Sequence, residues 1–153
     1  MSKPWKPQLI VLLLVFLAAA GVGRQWMQHG RDAPYATDTK TTRALLAFAQ
    51  KGPGITRLAE LTPFAWQTVY YFPAGTRYQA ITTALSIDLF SGKPGRLDEH
   101  GPLLVFQQGA KVVEAVAILP PLSLSSPNRA LHSASVRVRT EGGEGGQQRL
   151  VLE

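Results

Sequence analysis

The amino-acid sequence predicts an α+β protein in which an N-terminal membrane helix precedes a two-layer domain of helices packed on an antiparallel sheet. Residues 9–23 are uncharged and mostly apolar, as a membrane segment requires. The remaining pattern is helix, strand, helix and then four strands. Short turns join these last strands in pairs, which favours antiparallel pairing with the helices on one face of the sheet.

Residues 1–24 have the pattern of a signal-anchor. Lys3 and Lys6 precede the apolar run, and Arg24 closes it. Trp5 and Trp26 lie 21 positions apart, which in a helix is about 30 Å, close to the thickness of a hydrocarbon core. The residues expected to hold the segment in the bilayer are Trp5, Leu9, Ile10, Leu14, Phe16, Leu17 and Trp26.

The same segment is compatible with a cleavable secretory signal, because the apolar run is short and ends in the small residues 18–23. Flanking Trp side chains and the stems of Lys and Arg lengthen the run, which favours an uncleaved anchor. The short leading tail places the N terminus in the cytoplasm. We therefore expect a single-pass protein of the bacterial inner membrane with a periplasmic C-terminal domain, or a secreted periplasmic domain if the signal is cleaved.

The composition limits the classes of partner. The 153 residues carry 16 Lys and Arg against 10 Asp and Glu, a formal net charge of +6. Half of this excess precedes residue 33, and no long Lys/Arg cluster alternates with stacking aromatics, so nucleic acid is not expected as a partner. The chain has no Cys, which excludes disulfides, a thiolate nucleophile, a zinc–thiolate site and lipidation at a Cys.

Residues 25–37 are polar and predict a tether, which leaves residues 38–153 as one small exported domain. Its first helix is expected to begin at a cap among residues 37–39 and to end at the Gly-Pro-Gly of residues 52–54. Residues 55–61 are compatible with either a turn of helix or an edge strand.

The segment 66–72 is dense in β-branched and aromatic residues, which predicts a strand. Thr76 then predicts the cap of a second helix. The apolar face of that helix would consist of Tyr78, Ile81 and Leu85.

The last part of the sequence predicts two hairpins. Residues 103–106 and 111–118 flank a short turn that contains Gly. A loop rich in Ser and Pro is expected over residues 120–129. The closing hairpin pairs residues 135–139 with residues 148–152 across a Gly-rich turn.

Residues 64–72, Phe-Ala-Trp-Gln-Thr-Val-Tyr-Tyr-Phe, concentrate aromatic side chains, most of which we expect in the core. The segment resembles a Phe-x-Trp-x-x-Val-Tyr-x-Phe strand motif of small, uncharacterised, lipoprotein-like proteins of the bacterial envelope. Gln67 stands where those proteins usually have Asp. A following Leu-Val-Phe hairpin also matches, at Leu104, Val105, Phe106, Gly109, Lys111, Val112 and Val113. The resemblance implies an exported α+β domain and supplies no activity.

No pattern in the sequence indicates a catalytic, cofactor or metal site, so a non-enzymatic protein is expected. An envelope enzyme is the alternative from another class, with a site assembled from residues distant in sequence. Its candidates are Asp88, Asp98, Glu99, His100 and His132. Neighbouring residues of a Gly- and Pro-flanked loop seldom converge on one ion or substrate, which favours a solvated loop at residues 98–100.

The candidate partner surface is a row of arginines on the last hairpin. Arg137 and Arg139 alternate with apolar residues on one strand, and Arg149 lies on the other. Such a face is suited to an acidic partner or to lipid headgroups, and the same alternation is expected of an ordinary solvated sheet face, since exposed strands carry charges. We expect the domain to bind another envelope or secreted protein, in envelope assembly, inhibition or immunity. The alternative is a small subunit of a membrane complex that uses its anchor helix as the interface, with Ala18 and Gly21, together with Ala19 or Gly23, allowing close helix contact.

A fragment from about residue 33 to the C terminus is predicted to fold without the anchor. Residues 25–37 contain too few apolar groups to join a core, so we expect proteases to cleave there. The released fragment should be soluble without detergent and show helix and strand by circular dichroism. A fragment that aggregates or is unfolded in buffer would show that the domain needs its anchor or a partner to fold.

Overall fold

The computed structural model describes residues 34–97, 101–127, 129–132, 134–142 and 148–153 of the protein. The helices are α1, Lys40–Gln50, and α2, Tyr78–Leu85, and a 3₁₀ turn lies at Leu58–Glu60. The strands are β1 Ile55–Arg57, β2 Thr68–Phe72, β3 Leu103–Gln108, β4 Lys111–Ala117, β5 Leu122–Ser125, β6 Ala130–His132, β7 Arg137–Gly142 and β8 Gln148–Leu152. These elements belong to one compact unit, Pro34–Glu153.

Within the described residues the strands form two four-stranded sheets. The first sheet has the order β4-β3-β2-β6, and all its pairs are antiparallel. The second sheet has the order β1-β7-β8-β5, in which β5 runs parallel to β8 and the other pairs are antiparallel. The α+β class is therefore confirmed, and the expected single antiparallel sheet is corrected to two sheets.

The second sheet contains a strand that the sequence did not predict, because a segment expected to be a loop forms β5. Leu122 and Leu124 are buried and Ser123 between them is exposed, which is the alternation of a strand with one face in the core. β5 pairs with β8, so that Leu124 lies opposite Leu150. At the other edge, the ambiguous segment 55–61 provides both an edge strand, β1, and the 3₁₀ turn that follows it.

Both faces of the first sheet are covered, which gives three layers. One face packs against the second sheet and α1, and this core includes Leu104, Phe106, Val116, Val138, Leu150 and Leu152. The other face packs against α2, and this core includes Leu103, Val105, Phe72, Ile81 and Leu85. The predicted arrangement of helices on one face of the sheet is therefore wrong, because the second sheet also needs an apolar face to pack against.

Helix α1 begins where the sequence predicts. Thr39 is the N-cap, and its hydroxyl accepts a hydrogen bond from the Thr42 amide while the Thr42 hydroxyl accepts one from the Thr39 amide. Leu45 and Ala49 are buried on its inner side. Thr41 is also buried and donates a 2.7 Å hydrogen bond to the carboxylate of Glu114 on β4, which ties the helix to the first sheet.

Helix α2 begins one residue later than predicted. Its N-cap is Arg77, which makes no side-chain capping bond. The hydroxyl of Thr76 instead donates to the Pro73 carbonyl at 2.6 Å and closes the preceding turn. The predicted apolar face is present: Ile81 and Leu85 are buried, and the half-buried Tyr78 packs against the same core.

The aromatic segment fills the core, as predicted for most of its members. Trp66 is buried, and its ring lies edge-on to Phe106 with centroids 5.3 Å apart. Phe64 approaches Phe106 in the same way. Gln67 holds the β3–β4 hairpin, since its side-chain oxygen accepts a 2.8 Å hydrogen bond from the amide of Gly109, the turn residue with φ of 61°.

The start of the domain is attached to the edge of the first sheet. The Ala36 amide donates to the Ala115 carbonyl, and the Ala117 amide donates to the Ala36 carbonyl, both at 2.9 Å. Tyr35 packs against the core beside α2. The end of the tether predicted for residues 25–37 is thus part of the domain.

The predicted anchor, residues 1–24, and the tether up to residue 33 lie outside the described residues. In the part of the chain that the structure describes, no helix has the length and apolar character needed to cross a bilayer.

Replacement of Tyr71 tests the contact between the two sheets. Tyr71 lies on β2, and its hydroxyl donates a 3.1 Å hydrogen bond to the Leu124 carbonyl on β5. Loss of this bond in Tyr71→Phe should lower the free energy of unfolding by about 1 kcal/mol. Tyr70→Phe is the matched control, because Tyr70 lies on the opposite face of the same strand.

The same variant has a predicted pH dependence. Burial raises the pKa of Tyr71 above its ordinary value of 10.0. The unfolded protein therefore loses this proton first as the pH rises, so the stability contributed by Tyr71 is present below pH 10 and is lost above it. Urea unfolding between pH 9 and 11 should show a smaller loss of stability for Tyr71→Phe than for the wild type. Equal losses would contradict the assignment.

Candidate functional site: the outer face of the second sheet

Strand β7 presents a charged face to solvent. Val138 and Thr140 are buried, and Arg137 and Arg139 are exposed between them, as the alternation in the sequence predicts. Inward residues pack on the first sheet, so the opposite side of β7 is free to carry charged side chains.

Strand register brings the predicted arginines to this one face. β8 places Arg149 directly opposite Glu141 of β7. On the other side of β7, β1 places Arg57 directly opposite Arg137 and Ile55 opposite Arg139. We call this set of side chains on β1, β7 and β8 the arginine face. The sequence does not indicate Arg57, because the segment 55–61 carries no clear strand pattern and does not reveal which strand pairs with it.

Two of the predicted arginines already have carboxylate partners. The Arg139 guanidinium bonds to Glu153 and lies 2.9 Å from a carboxylate oxygen of Glu141. These contacts, chiefly the hydrogen bond to Glu153, raise the pKa of Arg139. Arg149 lies 4.0 Å from the other oxygen of Glu141. Because the Arg139 and Arg149 side chains are 46% and 55% exposed, these pairs contribute little to folding.

Arg57 and Arg137 are the arginines of the face that form no ion pair among the described residues, and Arg137 lies between Arg57 on β1 and Glu153, with which it exchanges two backbone hydrogen bonds of 3.0 Å. Within the described residues no carboxylate lies within 4.0 Å of either guanidinium. Like charges directly opposite each other on paired strands repel. The nearby carboxylate of Glu60 accepts a 2.8 Å hydrogen bond from the Thr56 hydroxyl.

A shallow hollow of about 240 Å³ adjoins the two arginines. Its apolar side is Ile55, which is 53% exposed, and its polar side includes Thr56 and Glu60. These are side chains suited to a ligand with a carboxylate and an apolar group beside it.

Of the residues of the alternative enzyme site, the structure describes the side chain of Asp88 alone. Asp88 lies after α2, where its carboxylate accepts a 3.0 Å hydrogen bond from the Phe90 amide. Asp98, Glu99 and His100 lie outside the described residues, as does the side chain of His132. Among the described side chains, no group of three or more His, Cys, Asp or Glu could hold a metal ion. Comparisons of the chain with protein-family models, curated proteins and solved structures found no match.

Neutralising Arg57 is predicted to stabilise the isolated protein. Arg57→Gln removes one of two facing cations, so the free energy of unfolding should rise by about 0.2–1 kcal/mol at low salt. The gain should shrink in 0.5 M NaCl, because salt screens charges on the surface. Urea unfolding at the two ionic strengths measures both effects.

Arg139→Gln is the matched control for this experiment. It removes an arginine of the same face that has carboxylate partners, so it should not stabilise the protein at either ionic strength. Destabilisation by Arg57→Gln at low salt would show that the Arg57 guanidinium makes a favourable contact in place of a repulsive one.

Proposed function

We propose that the protein is a membrane-tethered periplasmic domain that binds an acidic segment of another envelope or secreted protein through its arginine face. The observation that carries this proposal is the facing pair of Arg57 and Arg137, with no carboxylate of the described residues within 4.0 Å of either guanidinium. A partner carboxylate placed between the two guanidinium groups would replace their repulsion by two charge-assisted hydrogen bonds.

The mixture of groups on the face favours a protein over a polyanion. Glu60, Glu141 and Glu153 lie among the arginines and would repel a long run of phosphates. The exposed Ile55 beside the pair supplies apolar area. Protein interfaces are enriched in arginine and in apolar residues surrounded by a polar rim, and the pair with Ile55 and its polar neighbours has this composition.

The tether determines how far from the membrane such binding could occur. The domain begins at about residue 34, since Tyr35 and Ala36 are attached to it. The nine residues between the predicted anchor and this point, 25–33, would span about 30 Å if fully extended. The domain would therefore reach partners that lie close to the outer side of the inner membrane. Its role would be non-enzymatic, of the envelope-assembly, inhibitor or immunity type.

Capture of a partner from cross-linked membranes tests the proposal. Tagged full-length protein is cross-linked in its native cells, solubilised and recovered, and the captured proteins are compared between variants. Arg57→Glu with Arg137→Glu should reduce capture at least tenfold, because an acidic segment would then meet two carboxylates. Capture by the wild type should also weaken as salt is added to the wash.

Two controls make the result specific. Lys51→Glu with Lys111→Glu changes the charge equally, but it does so at the end of α1 and the start of β4, and it should leave capture unchanged. Replacement of residues 9–23 by an unrelated spanning helix should also leave it unchanged. Loss of capture on that replacement, with no effect of the Arg57 and Arg137 changes, would favour the membrane-subunit alternative. Recovery of no partner by any form would overturn the proposal.

A further inference from the structure

A second cationic hollow lies on the other side of the first sheet, where α2 begins. It has a volume of about 550 Å³ and lies between α2 and the loop over residues 91–96. Arg77, Lys93 and Arg96 line it together with Tyr78, Thr82 and Asp88. We call it the α2 hollow. It is separated from the arginine face by the first sheet, because α2 and the second sheet cover opposite faces of that sheet.

The backbone fixes the two arginines of the hollow opposite each other. Arg77 and Arg96 form an isolated antiparallel bridge, held by hydrogen bonds from the Leu97 amide to the Thr76 carbonyl and from the Tyr78 amide to the Gly95 carbonyl. These bonds measure 2.8 and 3.0 Å. The backbone positions from which the Arg77 and Arg96 side chains extend are therefore fixed relative to each other.

The loop also packs closely on an aromatic stack. The rings of Tyr78 and Phe90 lie parallel with centroids 3.8 Å apart. Gly95, with φ of 156°, lies directly on the Tyr78 ring, and a Cβ at this position would be 2.7 Å from Tyr78 Cε2. These contacts hold the loop backbone and the Tyr78 ring in place as the wall of the hollow, although the charged side chains in it are exposed.

Among the described residues that line the hollow, three cations and one carboxylate leave an excess of two positive charges. Arg77, Lys93 and Arg96 stand against the single carboxylate of Asp88, one oxygen of which is already bonded to the Phe90 amide. Among the described residues, no carboxylate lies within 4.0 Å of the three cations. A phosphate monoester carries about −1.5 to −2 at pH 7, which matches this excess. Guanidinium groups bind phosphate oxygens through two donors at once.

The volume of the α2 hollow and its uncharged groups indicate a ligand larger than a bare ion. A volume of about 550 Å³ is in the range of small-molecule pockets, roughly 300–1,000 Å³. The half-buried Tyr78 ring and Thr82 offer apolar contact and a hydroxyl beside the cations. We propose that the α2 hollow binds a phosphate monoester with a small polar body, supplied either by a soluble sugar phosphate or by a lipid headgroup.

Calorimetric titration of the full-length protein in phosphatidylcholine nanodiscs tests this proposal. The probes are glucose 6-phosphate, glucose, inorganic phosphate and dihexanoyl phosphatidic acid. Glucose 6-phosphate should bind at least tenfold more tightly than glucose and more tightly than inorganic phosphate. Binding of dihexanoyl phosphatidic acid, with none of glucose 6-phosphate, would support the phosphate site and assign it to lipid headgroups.

Matched variants locate the site. Arg77→Gln with Arg96→Gln should weaken binding at least tenfold, and Lys51→Gln with Lys111→Gln, the same charge change at exposed positions outside both sites, should alter it less than twofold. Lys93→Gln changes only an exposed loop residue and should also weaken binding, which guards against misfolding of the double variant. Equal losses in both double variants, or no binding of any phosphate compound, would overturn the proposal. Inorganic phosphate bound as tightly as the ester would show a plain anion site and overturn it as well.

Discussion

The burial of β3 on both of its faces is the constraint on which the rest of the structure depends. The five consecutive residues from Leu103 to Gln107 are all buried. A strand without a solvent-facing side needs a separate cover for each face. Helix α2, with Phe90 and Leu97, covers one face, and the second sheet covers the other. Both covers are therefore required at once, and the three layers depend on one another for stability.

Polar contacts between the layers determine how the apolar surfaces are oriented on one another. Tyr71 joins the two sheets through the Leu124 carbonyl, and Thr41 joins α1 to the first sheet through Glu114. Gln107, buried on β3, donates to the Leu85 carbonyl at the end of α2 at 3.4 Å. Apolar surfaces tolerate sliding, whereas each of these bonds is made in one arrangement only. They specify which surfaces meet and at what position.

The sequence predicts local elements well and their assembly less well. The capping residue of α1, the β3–β4 hairpin and the exposure of Arg137 and Arg139 follow from short patterns, and the structure confirms them. β5 was missed because Ser and Pro dominate its surroundings, although its Leu residues alternate as in a strand. The division into two sheets could not be predicted, because antiparallel pairing within hairpins does not determine which hairpins share a sheet.

The same limit applies to the candidate sites. Arg57 and Arg137 are 80 positions apart in the sequence, and only the pairing of β1 with β7 places them together. Arg77 and Arg96 likewise meet through a backbone bridge between a helix cap and a loop. A basic residue on a surface is ordinary in a sequence. Two basic residues that lie opposite each other on paired backbone segments are informative, but the sequence does not show this pairing until the register is known.

The attachment of Ala36 to β4 has a mechanical consequence. Tension applied through the N terminus loads the contacts of Tyr35 and then the two backbone hydrogen bonds that join Ala36 to Ala115 and Ala117. These two bonds lie at the edge of the sheet, so they can break before the buried strands are disturbed. Their breaking would lengthen the tether by a few residues under tension. While intact, the attachment of Ala36 also covers part of the β4 edge, a row of backbone groups that would otherwise be open to pairing with a second chain.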